Sequence, residues 1–259
     1  VKNKIKKVYF SIFDPDIRSH KKSLSEFKKK KILVEHGILR HRVKFYYRSY
    51  IKFKKSNLPF VTAKIATSKD FYTINKKSRW ITNKFSRART HLLRSRNDCI
   101  ITSASTVISD NPSLTCRVNG LTDRSPIRIV LDKNLEIPLN SNIVKSTKFF
   151  STIIFFNKYN SRKIKFLKRK KIKLIRFKLS KNNNFNLKKI LIKIKQLGFS
   201  RVFLESGVNL IENFLNDNLI DDFYHFISNK NLEKKGSNNI KSIMKVFLRK
   251  KSKIKVNLF

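Results

Sequence analysis

Two short stretches place reactive side chains where a ligand could meet them. Glu205-Ser206-Gly207 lies between the apolar run Val202-Phe203-Leu204 and a helical pattern of Leu210, Ile211, Phe214, Leu215 and Leu219. Backbone N–H groups at a helix start, next to a glycine, can hold a phosphate, and a carboxylate just before them can hold sugar hydroxyls. The same junction also serves as an ordinary turn. Lys64 is the lone cation within Phe60-Val61-Thr62-Ala63-Lys64-Ile65-Ala66. A lysine inside such a strand either reaches out past the strand end or points into a site. A third stretch, Ser109-Asp110-Asn111-Pro112, has turn chemistry and follows an apolar run, where α/β proteins keep binding loops. Cys99 and Cys116 are the only cysteines, too few for a disulfide scaffold, and read as reduced, partly buried thiols.

The elements that must position these groups follow from periodicity. Trp80-Ile81-Thr82 leads into a helix with apolar Phe85, Ala88, Leu92 and Leu93 and interleaved Arg87, Arg89, Arg94 and Arg96. Strands are expected at Phe60–Ala66, Cys99–Ile108, Ile127–Leu131, Phe149–Phe156, Ile172–Phe177, Arg201–Leu204 and Phe223–Ile227. A helix over Leu187–Leu197 stops at Gly198, and Ile243–Leu258 alternates like an antiparallel pair. Strands alternating with helices and closed by a hairpin define a three-layer α/β domain with a mostly parallel central sheet. Residues 1–50 give a strand, a basic helix, a second strand and a connector, too little to bury a core of their own. The polar KFKKSNLP marks a linker, placed at 51–58, ahead of a domain at 59–259.

Lys and Arg number 61 against 16 Asp and Glu, a formal charge of +45 that attracts polyanions at low salt whatever the function. The lysines are spread along the chain, and no RRM signature, zinc-finger spacing or heptad repeat accompanies them, so no specific nucleic-acid partner is expected. Two windows, Asn97–Cys116 and Val202–Asn229, contain no Lys or Arg at all. Burial excludes cations from a core, and a buried strand can also carry a ligand at its end. No apolar run approaches 18 residues and VKNKIKK has no signal-like apolar centre, so a soluble cytoplasmic protein without membrane partners is expected.

Taken together, PFVTAKIATSKD (59–70), SRWIT (78–82), the helix ending Leu93-Arg94, TVISDNPSLTCR (106–117), PIRIVLD (126–132) and LESGVNLIENFLNDNLIDDF (204–223) resemble a known family. It is the reductase domain of the bifunctional riboflavin-biosynthesis deaminase/reductase, with a dihydrofolate-reductase-like fold. DPD and VEHGIL within residues 1–50 resemble the tail of that family's deaminase domain. The deaminase chemistry needs H-x-E and P-C-x-x-C zinc motifs, and the chain has neither. The resemblance implies hydride transfer from NADPH to the anomeric carbon of 5-amino-6-(5-phosphoribosylamino)uracil, carried out by a homodimer. It implies Lys64 near the reacting centre; Ser78, Arg94, Leu114, Arg117 and Glu205 on the phosphoribosyl-pyrimidine substrate; and Ala66, Trp80, Thr106, Asp110, Gly207, Val208 and Asn209 on the cofactor. Other roles stay open from the residues alone: Trp80 and Leu114 as core, Arg94 as a solvated helix cation, Asp110 as a turn cap. The family's S-L-D-G turn reads Ser68-Lys69-Asp70-Phe71 here, a small hydroxyl position is Lys133, and Glu212 stands where a small residue is common. A decayed remnant that keeps the fold, or a basic nucleic-acid-associated protein, are the rival readings.

Overall fold

A computed structural model describes residues 4–19, 21–78, 80–249 and 255–258 of the 259. The chain divides into two compact units, Val1–Pro59 and Phe60–Phe259.

The first unit runs β1 (Lys7–Phe10), α1 (Lys22–Lys29), β2 (Leu33–His36), α2 (Arg40–Tyr46) and α3 (Arg48–Lys55). β1 and β2 pair in parallel, with Lys7 opposite Leu33 and Phe10 opposite His36. Asp16 joins distant parts of the unit, since its carboxylate accepts from both Arg18 and Lys54 at 2.7 Å. The stretch expected as a linker is helical through Lys55.

The second unit continues with β3 (Phe60–Thr67), β4 (Tyr72–Asn75), α4 (Lys84–Ser95), β5 (Cys99–Ser103), α5 (Ala104–Asp110), β6 (Ile127–Leu131), α6 (Asn142–Lys145), β7 (Thr152–Phe156), α7 (Ser161–Arg169), β8 (Lys173–Arg176), α8 (Leu187–Gln196), β9 (Arg201–Leu204), α9 (Val208–Asn216), β10 (Asp222–Ile227), β11 (Gly236–Asn239), α10 (Lys241–Arg249) and β12 (Lys255–Leu258). Eight of these strands form one sheet in the order β12-β10-β3-β9-β5-β6-β7-β8, every neighbouring pair parallel. A parallel sheet needs helices on both faces, so its strands are apolar on both sides. Ile100, Val130, Ile154, Phe203 and Phe226 share one face with Leu93 of α4, Val107 of α5 and Leu167 of α7. The alternate residues Ile101, Ile129, Phe155 and Leu204 are equally buried. Both lysine-free windows run through these strands, and Cys99, Ile100, Ile101, Val202, Phe203 and Leu204 are fully buried.

Two expected elements differ. Cys99–Ile108 is a strand only to Ser103, because the Ser103 hydroxyl accepts from Thr106 N–H and starts α5 there. Ile243–Leu258 does not form an antiparallel pair: its first part lies in α10, whose apolar residues recur at helical spacing, and Lys255–Leu258 pairs in parallel with β10. Residues 250–254 of that stretch lie outside the described residues. The small antiparallel pair is instead β4 with β11. The turn leading into β4 keeps a glycine-like backbone at Phe71, φ 69°, which costs an L-residue roughly 1–2 kcal/mol. Hydrogen bonds hold it. Asp70 accepts from the Leu232 and Glu233 N–H groups, and Ile240 N–H donates to the Phe71 carbonyl.

Candidate active site

Because all eight strands run the same way, their carboxyl ends share one edge of the sheet, where open α/β sheets hold ligands. β3 and β9 are adjacent, with Ala63 opposite Leu204 as the last paired residues. The next residue on each strand is Lys64 and Glu205, so the sheet delivers this amine and this carboxylate side by side and on one face. β9 is inserted between β3 and β5, and Glu205 N–H donates to the Ile101 carbonyl of β5 at 3.1 Å.

α4 covers this face and carries Arg94 into it. Arg94 is 9% exposed, and its Nε and Nη2 each donate to one Glu205 oxygen at 2.9 Å. Its Nη1 donates to the Thr115 carbonyl at 2.9 Å. His91, one turn earlier on α4, has Nδ1 3.0 Å from the same carbonyl. The same Nδ1 is 3.3 Å from Arg94 Nη1, so it donates to the carbonyl in one tautomer and accepts from the guanidinium in the other. Every nitrogen of the Arg94 guanidinium is therefore engaged by protein. It is neither a solvated helix cation nor an open anion receptor. Fork-to-fork pairing of this kind fixes the carboxylate in orientation as well as in charge.

Burial alone would raise the Glu205 pKa, but the Arg94 guanidinium and then the Lys64 ammonium outweigh it and hold it at about 2. Lys64 also lies below its ordinary value, which for an amine favours the neutral form. Burial pushes its pKa down, the Glu205 carboxylate opposes this, and Arg94 adds to it. Its Nζ lies 5.9 Å from the centroid of the Phe226 ring. The group is a half-buried amine beside a carboxylate that stays ionised. Ala66, two residues along on the same face of β3, is also half-buried and completes the floor.

The adjoining β5–α5 and β9–α9 junctions are tied by hydroxyls. Ser206 Oγ accepts from Ser103 N–H at 3.1 Å and lies 3.0 Å from Thr106 Oγ1, which in turn accepts from Gly207 N–H at 3.0 Å. Gly207 caps α9 without any side chain, and the first turn of α9 contains no acid. The amides of Val208 and Asn209 therefore face no competing carboxylate, and Glu212 lies beyond the first turn. Val208 itself is buried and Asn209 exposed. Open first-turn amides beside two hydroxyls form a donor set that fits a diphosphate.

Other expected residues are placed differently. Leu114 has its side chain in the core, 3% exposed, with a left-handed backbone at φ 54°. Trp80 is not core: it is 50% exposed, with the Arg87 guanidinium 4.6 Å from its ring centroid. Ser78 accepts from Trp80 N–H at 3.2 Å; Arg79 of the same motif lies outside the described residues. Asp110 ends α5, is exposed and accepts from Ser109 Oγ at 2.7 Å. Arg117 is exposed, and its charge acts on His91. Ser206 belongs to the Glu205-Ser206-Gly207 junction singled out from sequence, whereas His91, Thr115 and Ser103 were not. Only Ser103 left a signal, as a serine three residues before Thr106 at a strand-to-helix junction. Among the described residues no cluster of His, Cys, Asp and Glu could hold a metal ion, and no helix is long and apolar enough to cross a membrane.

A parallel α/β sheet with a lysine, an ionised carboxylate and an anion-ready helix start at one edge defines an enzyme-like ligand site. Residues 59–232 match the family described as RibD C-terminal domain, and the chain belongs to that family. It is 30% identical over 232 residues to the riboflavin biosynthesis protein RibD of Aquifex aeolicus, covering 89% of this chain and 63% of that protein. Among solved structures, Acinetobacter baumannii RibD superposes with a TM-score of 0.76 at 25% identity, over 91% of this chain and 64% of the other. A deaminase/reductase from Thermotoga maritima, named for diaminohydroxyphosphoribosylaminopyrimidine and 5-amino-6-(5-phosphoribosylamino)uracil, gives 0.73 at 25% identity, over 89% and 62%. The chain thus spans less than two thirds of the length of these relatives.

Proposed function

We propose that the second unit reduces 5-amino-6-(5-phosphoribosylamino)uracil with NADPH as a step of riboflavin biosynthesis. The observation that carries this reading is the Lys64–Glu205 pair, set on adjacent strand ends and locked by Arg94. The dinucleotide, when bound, supplies a hydride to the anomeric carbon. As that carbon gains the hydride, its bond to the ring oxygen breaks and the oxygen takes a proton, leaving an open ribityl chain. Lys64 holds that proton, and its lowered pKa makes release to the oxygen easier. Glu205 stays ionised and accepts hydrogen bonds from ribose hydroxyls, orienting the carbon. Arg117, exposed on the segment that follows Thr115, is the cation free to meet the substrate phosphate. The start of α9, with Thr106 and Ser206, holds the cofactor diphosphate.

The first unit is read as the tail of a deaminase domain, supported by its parallel strand pair around a helix. With neither zinc motif in the chain, no deaminase step is assigned to its residues. The test is oxidation of NADPH dependent on the phosphoribosylamino-uracil. Lys64→Met should lower kcat by about 100-fold or more, with little change in KM. Unchanged turnover in that variant, or no substrate-dependent oxidation by the parent chain, would sink the proposal.

A further inference from the structure

His91 stands in the site, yet the reaction proposed above gives it no task. It comes three residues before Arg94 on α4, so the two side chains share a helix face. Its ring is half-buried, and the charges acting on it are those of Arg94, Arg117 and, with opposite sign, Glu205. Nδ1 is gripped by the protein, 3.0 Å from the Thr115 carbonyl and 3.3 Å from Arg94 Nη1. Nε2 has no hydrogen-bond partner among the described residues. The two nitrogens of an imidazole are distinct, and what holds one decides what the other can do.

The segment against the ring is pinned. The Thr115 carbonyl also accepts from Arg94 Nη1 at 2.9 Å, and Cys116 N–H donates to Ser125 Oγ at 3.0 Å. Thr115 and Cys116 are buried, and the next residue, Arg117, emerges exposed from this fixed backbone with its charge felt at His91. A phosphate monoester presents three acceptor oxygens, and one guanidinium forks onto two of them. Arg94 does not supply the third contact, because its Nε and Nη2 hold Glu205 and its Nη1 holds Thr115. Burial, then Arg94 and Arg117, keep the pKa of His91 below its ordinary value, so at pH 7 the ring is neutral and carries one N–H. The tautomer in which Nδ1 accepts from Arg94 puts that N–H on Nε2, and an anion in front of Nε2 favours it.

We propose that His91 is a further substrate-binding residue, its Nε2–H donating to a phosphate oxygen beside the Arg117 guanidinium. The inference rests on the reductase reading for the identity of the phosphate ester, while its binding test needs no turnover. The probe is ribose 5-phosphate, titrated calorimetrically into the full chain at physiological ionic strength. His91→Asn keeps an amide donor where Nδ1 stands and nothing where Nε2 stands, and His91→Gln does the reverse. The two variants carry the same charge, so general attraction by this basic chain cancels between them. His91→Asn should bind ribose 5-phosphate about tenfold more weakly than the parent, and His91→Gln should stay within about threefold of it. In turnover, His91→Asn should raise KM for the pyrimidine substrate by a similar factor with little change in kcat. The reverse order of the two variants would show that the ring serves only the Thr115 carbonyl and would overturn the proposal, as would equal binding by both. A readout on the parent covers the case of a variant that folds badly. Long-range proton–nitrogen correlation spectra of the imidazoles should show one Nε2, the signal missing from either variant, shift when ribose 5-phosphate is added; no shift overturns the proposal. The expected order of variants without substrate-dependent NADPH oxidation would overturn the reductase reading and leave the phosphate contact standing.

Discussion

Replacing Arg94 by Ala leaves Glu205 buried without the guanidinium that holds it ionised. The gap between an ordinary glutamate at 4.5 and Glu205 at about 2, at about 1.4 kcal/mol per tenfold in proton affinity, amounts to about 3 kcal/mol of stability at neutral pH. Breaking a buried pair by removing one partner costs a similar roughly 3–5 kcal/mol, and here the Thr115 carbonyl loses a donor as well. Urea denaturation at pH 7 should therefore show Arg94→Ala less stable than the parent by about 3 kcal/mol. Removing both charges, as Arg94→Leu with Glu205→Leu, should recover most of that loss. The sign with pH follows from a folded value below the unfolded one. The contribution of Glu205 is complete above pH 4.5 and is lost as the pH falls toward 2. That acid-induced loss should shrink in Arg94→Ala. A single variant within about 0.5 kcal/mol of the parent, or a double variant worse than the single, would refute the picture of a locked carboxylate.

Two further outcomes follow from other buried groups. His225 lies 1% exposed in β10, with Nε2 2.8 Å from Thr67 Oγ1, and burial lowers its pKa to about 4. The folded protein resists its protonation, so stability should fall between pH 6.5 and 4 by up to about 3 kcal/mol, and His225→Phe should flatten that part of a plot of Tm against pH. Arg128, fully buried in β6, donates to the Ile143 and Phe150 carbonyls and to Ser146 Oγ. Arg128→Met strands those acceptors and should cost about 3 kcal/mol by chemical denaturation, with faster amide exchange in residues 143–150; an unchanged midpoint would show that the carbonyls find other donors.

The sequence made the strands legible where burial is symmetric. Ile127–Leu131 and Arg201–Leu204 are found at the expected residues because a run apolar on both faces has few other readings. It misled where capping competes with apolar content: Thr106–Val107–Ile108 is strand-like in composition, yet the Ser103 cap turns it into α5. It misled again at Ile243–Leu258, where a lysine-rich segment satisfies both a two-residue and a helical period. Of the site, Lys64 and Glu205 could be singled out because each breaks a local pattern, a cation in a strand and an acid at a strand end. Their pairing with each other, and the capture of Glu205 by Arg94, depends on β9 lying beside β3, which no local pattern encodes. Leu114 stands out only through its place in a motif, and its side chain lies in the core.

The all-parallel pairing of the large sheet has a consequence for how the molecule is made. No neighbouring pair in that sheet can close as a hairpin, and β3 has β9 and β10 as its two partners, both far downstream in the chain. During synthesis Lys64 emerges long before Glu205, so β3 and β5 wait with unpaired edges until the ribosome has delivered the insert between them. A nascent chain stopped short of residue 201 has neither the central strand nor the carboxylate, and protection of those two edges by a chaperone becomes part of producing a folded molecule.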